Sequence, residues 1–221
     1  MKCAVIIVAA GSGTRFGSTT PKPFVLLEKK PLIVHSLTVF ERCINIGSIV
    51  IVGHEDHLAR FKALAKKFKK VSAIVSGGAS RADSVKYGLA AVDGLYDHVL
   101  VHDAARPLID IAMLTRIIAA LERSPAVICA VPAKATIKEV DAKSMTVTRT
   151  LPRASLWEVQ TPQGFKRSLL EKAHGQEFRG EATDDAMLVE HLGVKVKVVK
   201  GDYRNIKITT PEDLLLAQVL I

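Results

Sequence analysis

The chain has 221 residues, of which 48% are hydrophobic and 24% charged, and this composition predicts a globular protein that buries a sizeable core. No apolar run approaches the roughly 20 residues that span a bilayer, so we expect no transmembrane helix. The formal net charge of +9 favours an anionic partner, either a polyphosphate or a nucleic acid. No aromatic residues interleave the basic ones and no RNA-binding signature is present, which argues against nucleic acid.

Strand-like and helix-like segments alternate along the chain. Runs of Val and Ile without regular alternation are typical of strands buried on both faces of a parallel sheet. They cover residues 4–8, 49–52, 72–75, 98–101, 127–131 and 194–199. Amphipathic stretches between them predict helices. The alternation predicts an α/β fold, an open, mostly parallel, Rossmann-like sheet with helices on both faces.

Capping patterns mark the starts of several predicted helices. Ser80 with Asp83 has the spacing of a reciprocal cap, and Asp110 precedes an apolar stripe with helical spacing. Near the end of the chain, Thr210 is followed by Pro211, which predicts an N-cap and a proline at the first helical position.

The segment from 136 to 160 interrupts the alternation. It is rich in β-branched and charged residues and has no helical pattern, which predicts an extended β-arm projecting from the sheet and a candidate dimerisation element. No linker divides the rest of the chain. We therefore expect residues 1–221 to form a single domain that includes this arm.

The cysteines and the N-terminus bear on the compartment. Cys3, Cys43 and Cys129 are far apart in apolar contexts and lack the spacing of metal ligands, so we expect buried, reduced thiols. The N-terminus shows no pattern of a cleaved secretion signal. Together these features predict a cytoplasmic protein.

A glycine-rich loop follows the first predicted strand and reads Ala9-Ala10-Gly11-Ser12-Gly13-Thr14-Arg15-Phe16-Gly17. Backbone N–H groups of such a loop can bind phosphate oxygens at the carboxyl edge of an α/β sheet. The glycine spacing does not match a dinucleotide fingerprint, and no Gly-Lys-Ser/Thr follows as in a P-loop. The loop instead carries Arg15, with Lys22 nearby, and fixed cations suit transfer at phosphorus. From this segment alone, a solvated turn with surface cations remains the alternative.

The loop with Pro21-Lys22 resembles the nucleotide-sugar pyrophosphorylase superfamily, and further segments narrow the resemblance. These are Gly77-Gly78 with Arg81-Ala82-Asp83-Ser84-Val85, then Val101-His102-Asp103-Ala104-Ala105-Arg106-Pro107, Arg153-Ala154-Ser155-Leu156-Trp157 with Gln160-Thr161-Pro162-Gln163, and Asn205-Ile206-Lys207-Ile208-Thr209 before Pro211-Glu212-Asp213-Leu214. In this order the segments are similar to the 2-C-methyl-D-erythritol 4-phosphate cytidylyltransferase family. The resemblance implies attack by a sugar-alcohol phosphate on the α-phosphorus of CTP, with release of pyrophosphate.

The resemblance also implies roles for individual residues on the nucleotide side. Arg15 and Lys22 stabilise the transition state, and Gly78 and Ser84 lie in the segment that recognises cytosine. The nucleotide is cradled by backbone of Ala9, Ala10, Gly11 and Gly13. Many members have an acid after the second glycine of the cytosine segment, whereas this chain has Ala79, so backbone carbonyls would have to replace that contact.

On the acceptor side, the resemblance implies that Arg153 and Lys207 position the attacking phosphate and that Asp103 lies between nucleotide and acceptor. Arg106, Thr136, Thr161 and Thr183 match further acceptor contacts. A divalent cation, Mg²⁺, is implied, held mainly by phosphates with Asp103 as a protein ligand. The arm is implied to cross to a second subunit, so that a homodimer is active.

Several alternatives remain open at this stage. Ser84 could be a polar residue of a helix's first turn, Asp103 a cap, and Thr183 an N-cap. A ribitol-5-phosphate or other polyol-phosphate cytidylyltransferase is the alternative within the class, although Arg153 and Trp157 favour methylerythritol phosphate. A non-catalytic α/β domain that binds nucleic acid is the alternative outside it.

Overall fold

A computed structural model of the chain describes residues 1–11, 16–17, 20–178, 180 and 182–221. The strands are β1 (Cys3–Ala9), β2 (Leu26–Leu27), β3 (Lys30–Pro31), β4 (Ile46–Gly53), β5 (Val71–Ser76), β6 (His98–Asp103), β7 (Ala126–Pro132), β8 (Lys138–Asp141), β9 (Thr146–Thr150), β10 (Trp157–Lys166) and β11 (Lys197–Lys200). The helices are α1 (Leu32–Arg42), α2 (Leu58–Ala65), α3 (Arg81–Ala90), α4 (Ile111–Leu121), α5 (Arg167–His174), α6 (Asp185–His191) and α7 (Pro211–Leu220).

The central sheet, as described, has the strand order β11-β7-β10-β6-β1-β4-β5. Its neighbours pair in parallel except β10, which is antiparallel to both β6 and β7. The predicted α/β fold with a mostly parallel sheet is therefore confirmed. The last sheet strand covers residues 197–200, so the predicted start at residue 194 is wrong.

The two faces of the sheet contact separate hydrophobic cores, and β1 shows why. Cys3, Val5 and Ile7 point to the core built with α1, α2 and α4, whereas Ala4 and Ile6 point to the core built with α3, α5 and α6. A strand that is apolar at every position buries both faces, and each large side chain contributes roughly 1.5–3 kcal/mol. This is why helices cover the sheet on both sides.

Gly88 lets α3 pack closely against the sheet. A Cβ added there would lie 2.6 Å from Ile6 Cγ2 and 2.7 Å from Val52 Cγ2. Gly88→Ala should therefore destabilise the fold by about 1 kcal/mol, because overpacking outweighs the gain in helix propensity. Gly94→Ala is the matched control, since an added Cβ there meets open space. Urea unfolding measures both, and a Gly88→Ala variant as stable as Gly94→Ala would contradict this packing.

The part of the chain predicted as an arm divides into two structures. Strands β8 and β9 pair as an exposed antiparallel hairpin outside the main sheet. Residues 157–160, predicted to belong to the arm, instead pair with residues 129–132 in the central sheet. The sequence pattern does not predict β10. Its pairing with β7 is interrupted between Gln160 and Gln163, where Pro162 has no N–H to donate.

The predicted helix starts are confirmed. Ser80 and Asp83 form the reciprocal cap of α3, the Asp110 side chain accepts from Met113 N at α4, and Thr210 caps α7. Across the described ranges, no helix combines the length and apolarity needed to cross a membrane.

Candidate active site

The carboxyl ends of neighbouring parallel strands meet at one edge of the sheet. There β1 continues into Ala10 and Gly11, β4 into His54, β5 into Gly77 and Gly78, and β6 ends at Asp103. Strand β1 lies between β4 and β6, so the chain moves outward in one direction from β1 and later returns to its other side. Such a switch point forms the crevice in which open α/β sheets bind ligands.

A cavity of about 590 Å³ opens at this edge, within the size range of small-molecule sites. Most of the described residues predicted for the nucleotide and the attacking phosphate line it. They are Ala9, Ala10, Gly11, Lys22, Gly78, Ser84, Asp103 and Lys207, together with Val8, Pro23, His54, Ala79, Ser80, Arg81, Ala104 and Ala105. Gly13 and Arg15, which are also predicted, lie outside the described residues.

Asp103 is held between two cations at the cavity. Lys207 Nζ donates to Asp103 Oδ2 at 2.7 Å, and Arg81 Nε and Nη2 each donate to Asp103 Oδ1 at 3.3 Å. Burial alone would raise the pKa of Asp103, but the nearby charges of Arg81 and Lys207 hold that pKa well below its ordinary value. Asp103 is therefore ionised, and it orients a lysine and an arginine beside the space for a ligand. It is not a helix cap.

The glycine pair after β5 lets α3 begin close to the loop after β1. A Cβ added at Gly77 would overlap Ala10 Cβ, and one added at Gly78 would overlap Asp83 Cβ. Ser84 lies buried in the first turn of α3, where its hydroxyl accepts from Gly78 N at 3.1 Å and donates to Ser80 O at 3.0 Å. Ser84 thus fixes the backbone of the predicted cytosine segment, and its own contact with a base stays a prediction.

Lys22 is positioned by a short 3₁₀ helix, Lys22–Phe24. Phe24 is buried against Phe61, with ring centroids 4.6 Å apart, and the Arg60 guanidinium lies 4.0 Å from the Phe24 ring. Because Pro23 and Phe24 fix this turn to the core, the lysine that precedes them is held at the wall of the cavity.

A buried network supports the strand end that carries Asp103. Thr161 Oγ1 accepts from Asp103 N at 3.0 Å and lies 3.1 Å from His102 Nδ1, while His102 Nε2 lies 3.1 Å from Arg106 O. A carbonyl can only accept, so Nε2 carries the proton and the Thr161 hydroxyl donates to Nδ1. Burial lowers the pKa of His102 to about 4, so the ring is neutral. Thr161 therefore supports Asp103, and its predicted contact with an acceptor stays a prediction.

Arg106 also supports the cavity. Its guanidinium donates to Asn205 O at 2.7 Å and to Val159 O at 3.2 Å, which ties the segment before Lys207 to β10. Burial lowers the pKa of Arg106. Neither Arg106 nor Thr161 is among the residues that line the cavity.

The structure of one chain does not bring Arg153, Thr136 and Thr183 to the cavity. Arg153 lies at the base of the hairpin, where its Nη1 donates to Lys134 O at 2.9 Å, and Thr136 is exposed nearby. The N-cap of α6 is Asp184, whose side chain accepts from Met187 N, so the alternative reading of Thr183 as the N-cap is wrong.

Three further residues that line the cavity, Arg81, His54 and Ser80, are not among the predicted site residues. Each follows the carboxyl end of a predicted strand, β4 for His54 and β5 for the other two. The rule that ligands bind at this edge could have identified them.

Comparisons with known proteins agree over the whole chain. The family model described as 2-C-methyl-D-erythritol 4-phosphate cytidylyltransferase matches residues 3–221. Enzymes of that name from Alkaliphilus metalliredigens and Geobacillus kaustophilus are 44% and 43% identical to this chain, and the alignments cover all of it and 93% and 97% of the relatives.

Solved structures give the same result. A 4-diphosphocytidyl-2C-methyl-D-erythritol synthase from Anaerococcus prevotii superposes with a TM-score of 0.86 at 33% identity, covering 99% of this chain and 97% of the other. The 2-C-methyl-D-erythritol 4-phosphate cytidylyltransferase from Thermus thermophilus gives 0.80 at 33% identity, covering 100% and 98%. The chain therefore belongs to the 2-C-methyl-D-erythritol 4-phosphate cytidylyltransferase family.

Proposed function

We propose that the protein transfers the cytidylyl group of CTP to 2-C-methyl-D-erythritol 4-phosphate, which gives 4-diphosphocytidyl-2-C-methyl-D-erythritol and pyrophosphate in non-mevalonate isoprenoid biosynthesis. The observation that carries the proposal is the cavity lined by Lys22, Arg81, Asp103 and Lys207, in a chain that matches this family over nearly its full length. Three cations around one cavity suit the binding of two phosphorylated substrates.

The chemistry requires charge and position more than proton transfer. A phosphomonoester has its second pKa near 6 and is largely a dianion at neutral pH, so one of its oxygens can attack the α-phosphorus directly. The new bond joins that oxygen to the α-phosphorus, and the bond from this phosphorus to the bridging oxygen breaks and releases pyrophosphate. No general base is needed. The protein must instead align the groups and neutralise charge that builds on phosphate oxygens.

The geometry supports separate roles for the two lysines. Lys22 lies with Ala9, Ala10 and Gly11 at the wall formed by the loop after β1, where the triphosphate would bind. Lys207 donates to Asp103 Oδ2, whereas Arg81 donates to Oδ1, so Asp103 holds the Lys207 ammonium group at the cavity, where we propose that it meets the acceptor phosphate. Arg15, outside the described residues, is proposed to act with Lys22 as the resemblance implies.

A divalent cation, Mg²⁺, fits this site only if the substrate phosphates hold most of it. Asp103 is the carboxylate among the described residues that line the cavity, and both its oxygens already accept from cations. No group of three or more His, Cys, Asp or Glu in the described ranges is placed to hold a metal. Asp103 would supply one ligand, and the ion would neutralise triphosphate charge.

The hairpin supports the proposal of a homodimer. Val140, Met145 and Val147 on the hairpin, and Trp157 and Val159 beyond it, expose large apolar side chains. An arm that crosses to a second subunit would bury them and bring Arg153 and Thr136 to the partner's cavity, which the single chain does not do.

Mixing two defective variants tests the crossing arm. Arg153→Ala should chiefly raise the KM for the acceptor, whereas Lys22→Ala should depress kcat. After subunit exchange roughly half of the dimers contain one copy of each variant. If the arm completes the neighbouring site, each of these mixed dimers has one site that carries neither substitution, so about a quarter of all sites become wild type. Initial rates at low acceptor concentration measure this. Activity no higher than the average of the separate variants, after exchange is verified, would contradict the crossing arm.

A single domain and a cytoplasmic location are part of the same proposal. All three cysteines, each within the described residues, are buried and unpaired. Burial raises the pKa of the Cys3 and Cys129 thiols to about 12, so neither is an activated nucleophile. Buried reduced thiols are typical of a reducing compartment.

Pyrophosphate release from CTP, with methylerythritol phosphate and ribitol phosphate compared side by side, tests the substrate. We expect turnover with the first acceptor and little with the second. Turnover with ribitol phosphate alone would replace the proposed substrate by the alternative. Absence of turnover with either acceptor, together with strongly salt-dependent binding of RNA or DNA, would favour the nucleic-acid alternative.

A further inference from the structure

A row of hydrogen-bonded ionisable side chains runs from the cavity into the protein. It begins with Lys207 and Asp103 and continues through Arg81 to Asp185 and His174. Arg81 Nη1 donates to Asp185 Oδ2 at 2.7 Å, which is shorter than the 3.3 Å contacts of Arg81 with Asp103. His174 Nε2 lies 3.0 Å from Asp185 Oδ1 and must donate to it, because an ionised carboxylate only accepts. The shortest contact of Arg81 is therefore on the side away from the cavity.

The far end of the row is buried. The side chains of Asp185 and His174 are 1% and 4% exposed, against 25% for Arg81 and 43% for Lys207. Burial alone would raise the pKa of Asp185, but Arg81 and His174 lower it, so the buried carboxylate is ionised. The charges of Asp185 and Asp103 in turn raise the pKa of Arg81, although its burial opposes this. A buried charge persists only when it is paired in this way.

The row also joins the ends of three helices. Arg81 is the first residue of α3, Asp185 the first of α6, and His174 the last of α5. Neither Asp185 nor His174 lines the cavity at Asp103. Direct contact with the substrates therefore does not account for this buried pair.

We propose that Asp185, oriented by His174, is a positioning residue for cytidylyl transfer. It fixes the Arg81 guanidinium, and through Arg81 it fixes the orientation of Asp103 and Lys207 at the cavity. The inference rests on the proposed function. Arg81 donates through Nε and Nη2 to Asp103 and through Nη1 to Asp185, so a second carboxylate on a different element further restricts its guanidinium. Reacting groups misplaced by about 1 Å can cost on the order of a hundredfold in rate, so this fixation matters for chemistry.

Asp185→Asn keeps the shape of the side chain and removes its charge. We expect kcat to fall on the order of tenfold to a hundredfold, while the KM values for CTP and acceptor change less than about threefold. Steady-state pyrophosphate release is measured on protein whose folded fraction is verified by circular dichroism. A kcat within about twofold of wild type would overturn the proposal.

His174 offers a conservative pair of variants. His174→Gln retains an N–H that can donate to Asp185, whereas His174→Leu fills similar space without a donor. We expect the glutamine variant to keep most of the wild-type kcat. The leucine variant should lose kcat to about the same extent as Asp185→Asn. Equal kcat values in the two folded variants would overturn the role of His174.

An Arg81→Gln background tests whether Asp185 acts through Arg81. If it does, adding Asp185→Asn to Arg81→Gln changes kcat by less than about twofold, although it lowers kcat strongly in the wild-type background. If the double variant instead loses kcat by the product of the two single losses, Asp185 does not act through Arg81 and the proposal is overturned.

Asp184→Ala is the control for a merely structural effect. Asp184 caps the same helix and accepts from Gln163 Nε2 at 2.7 Å, but the structure gives it no contact with Arg81. We expect a lower melting temperature with kcat retained. If Asp184→Ala loses as much kcat as Asp185→Asn, the lower stability of α6 explains both losses of kcat and the positioning role is overturned. Wild-type inactivity with CTP would refute the proposed function itself, whereas an active wild type with unaffected variants would refute only this inference.

Discussion

Lys22→Ala should lower kcat by roughly a hundredfold to a thousandfold, the range found when one preorganised donor to a developing oxyanion is removed. Lys22 lines the cavity beside the loop after β1, and the buried Pro23 and Phe24 fix its backbone. The backbone of Lys22 is therefore fixed before the substrates bind, and we expect the charge of its side chain to act mainly on the transition state. We expect a smaller rise in the KM for CTP, about tenfold or less. Steady-state kinetics with both substrates varied measures these values.

Lys30→Ala is the matched control for Lys22→Ala. Lys30 lies in the same part of the chain and is exposed, but it does not line the cavity. Removing its charge lowers the net charge equally, so a general electrostatic effect would appear in both variants. We expect wild-type kinetics from Lys30→Ala. Lys22→Ala with a kcat within about threefold of wild type would refute the role given to Lys22.

Asp103→Asn should lower kcat by roughly a hundredfold and destabilise the fold by about 2 kcal/mol. The asparagine keeps the shape but no longer neutralises Arg81 and Lys207. The stability loss should stay below that of a fully buried pair, because Arg81 keeps Asp185 and Lys207 is 43% exposed. Kinetics and urea unfolding measure the two effects.

The pH dependence of that stability difference has a definite sign. The pKa of Asp103 is lowered in the folded protein, so its stabilisation is fully present above the ordinary pKa of 3.8 and is lost as the pH falls below it. The stability difference between the wild type and Asp103→Asn should therefore shrink progressively as the pH falls from about 4 toward the much lower folded pKa of Asp103. Asp110→Asn is the control, since Asp110 caps α4 away from the cavity and asparagine caps equally well. A difference that grows toward acid pH would contradict the ionised Asp103.

Local patterns predict most of the central sheet. The Val and Ile runs identify β1, β4, β5, β6 and β7 because parallel strands buried on both faces need apolar residues at every position. Strand β10 escapes this rule. It contains Glu158, Gln160, Pro162 and Gly164, and it enters the sheet antiparallel between β6 and β7. Its place is set by pairing with distant strands, which no local pattern encodes.

Less of the candidate site than of the central sheet can be predicted from local patterns. The loop after β1 indicates phosphate chemistry by its own spacing, and resemblance adds Asp103 and Lys207. The position of Arg81 after β5 could have marked it as a site residue, but its pairing with Asp103 and Asp185, which lie 22 and 104 positions away in the chain, could not be predicted locally. The supporting contacts of Thr161 and Arg106 likewise depend on β10, whose position the sequence pattern does not predict.

The most direct test of the central proposal is the identity of the product formed from CTP and 2-C-methyl-D-erythritol 4-phosphate. Phosphorus NMR of the reaction with Mg²⁺ should show two mutually coupled resonances of a new diphosphate diester, formed in equal amount with pyrophosphate. The Lys22→Ala protein should form the same product far more slowly. Release of CMP without a coupled diester, or no reaction of CTP with this acceptor, would contradict the account.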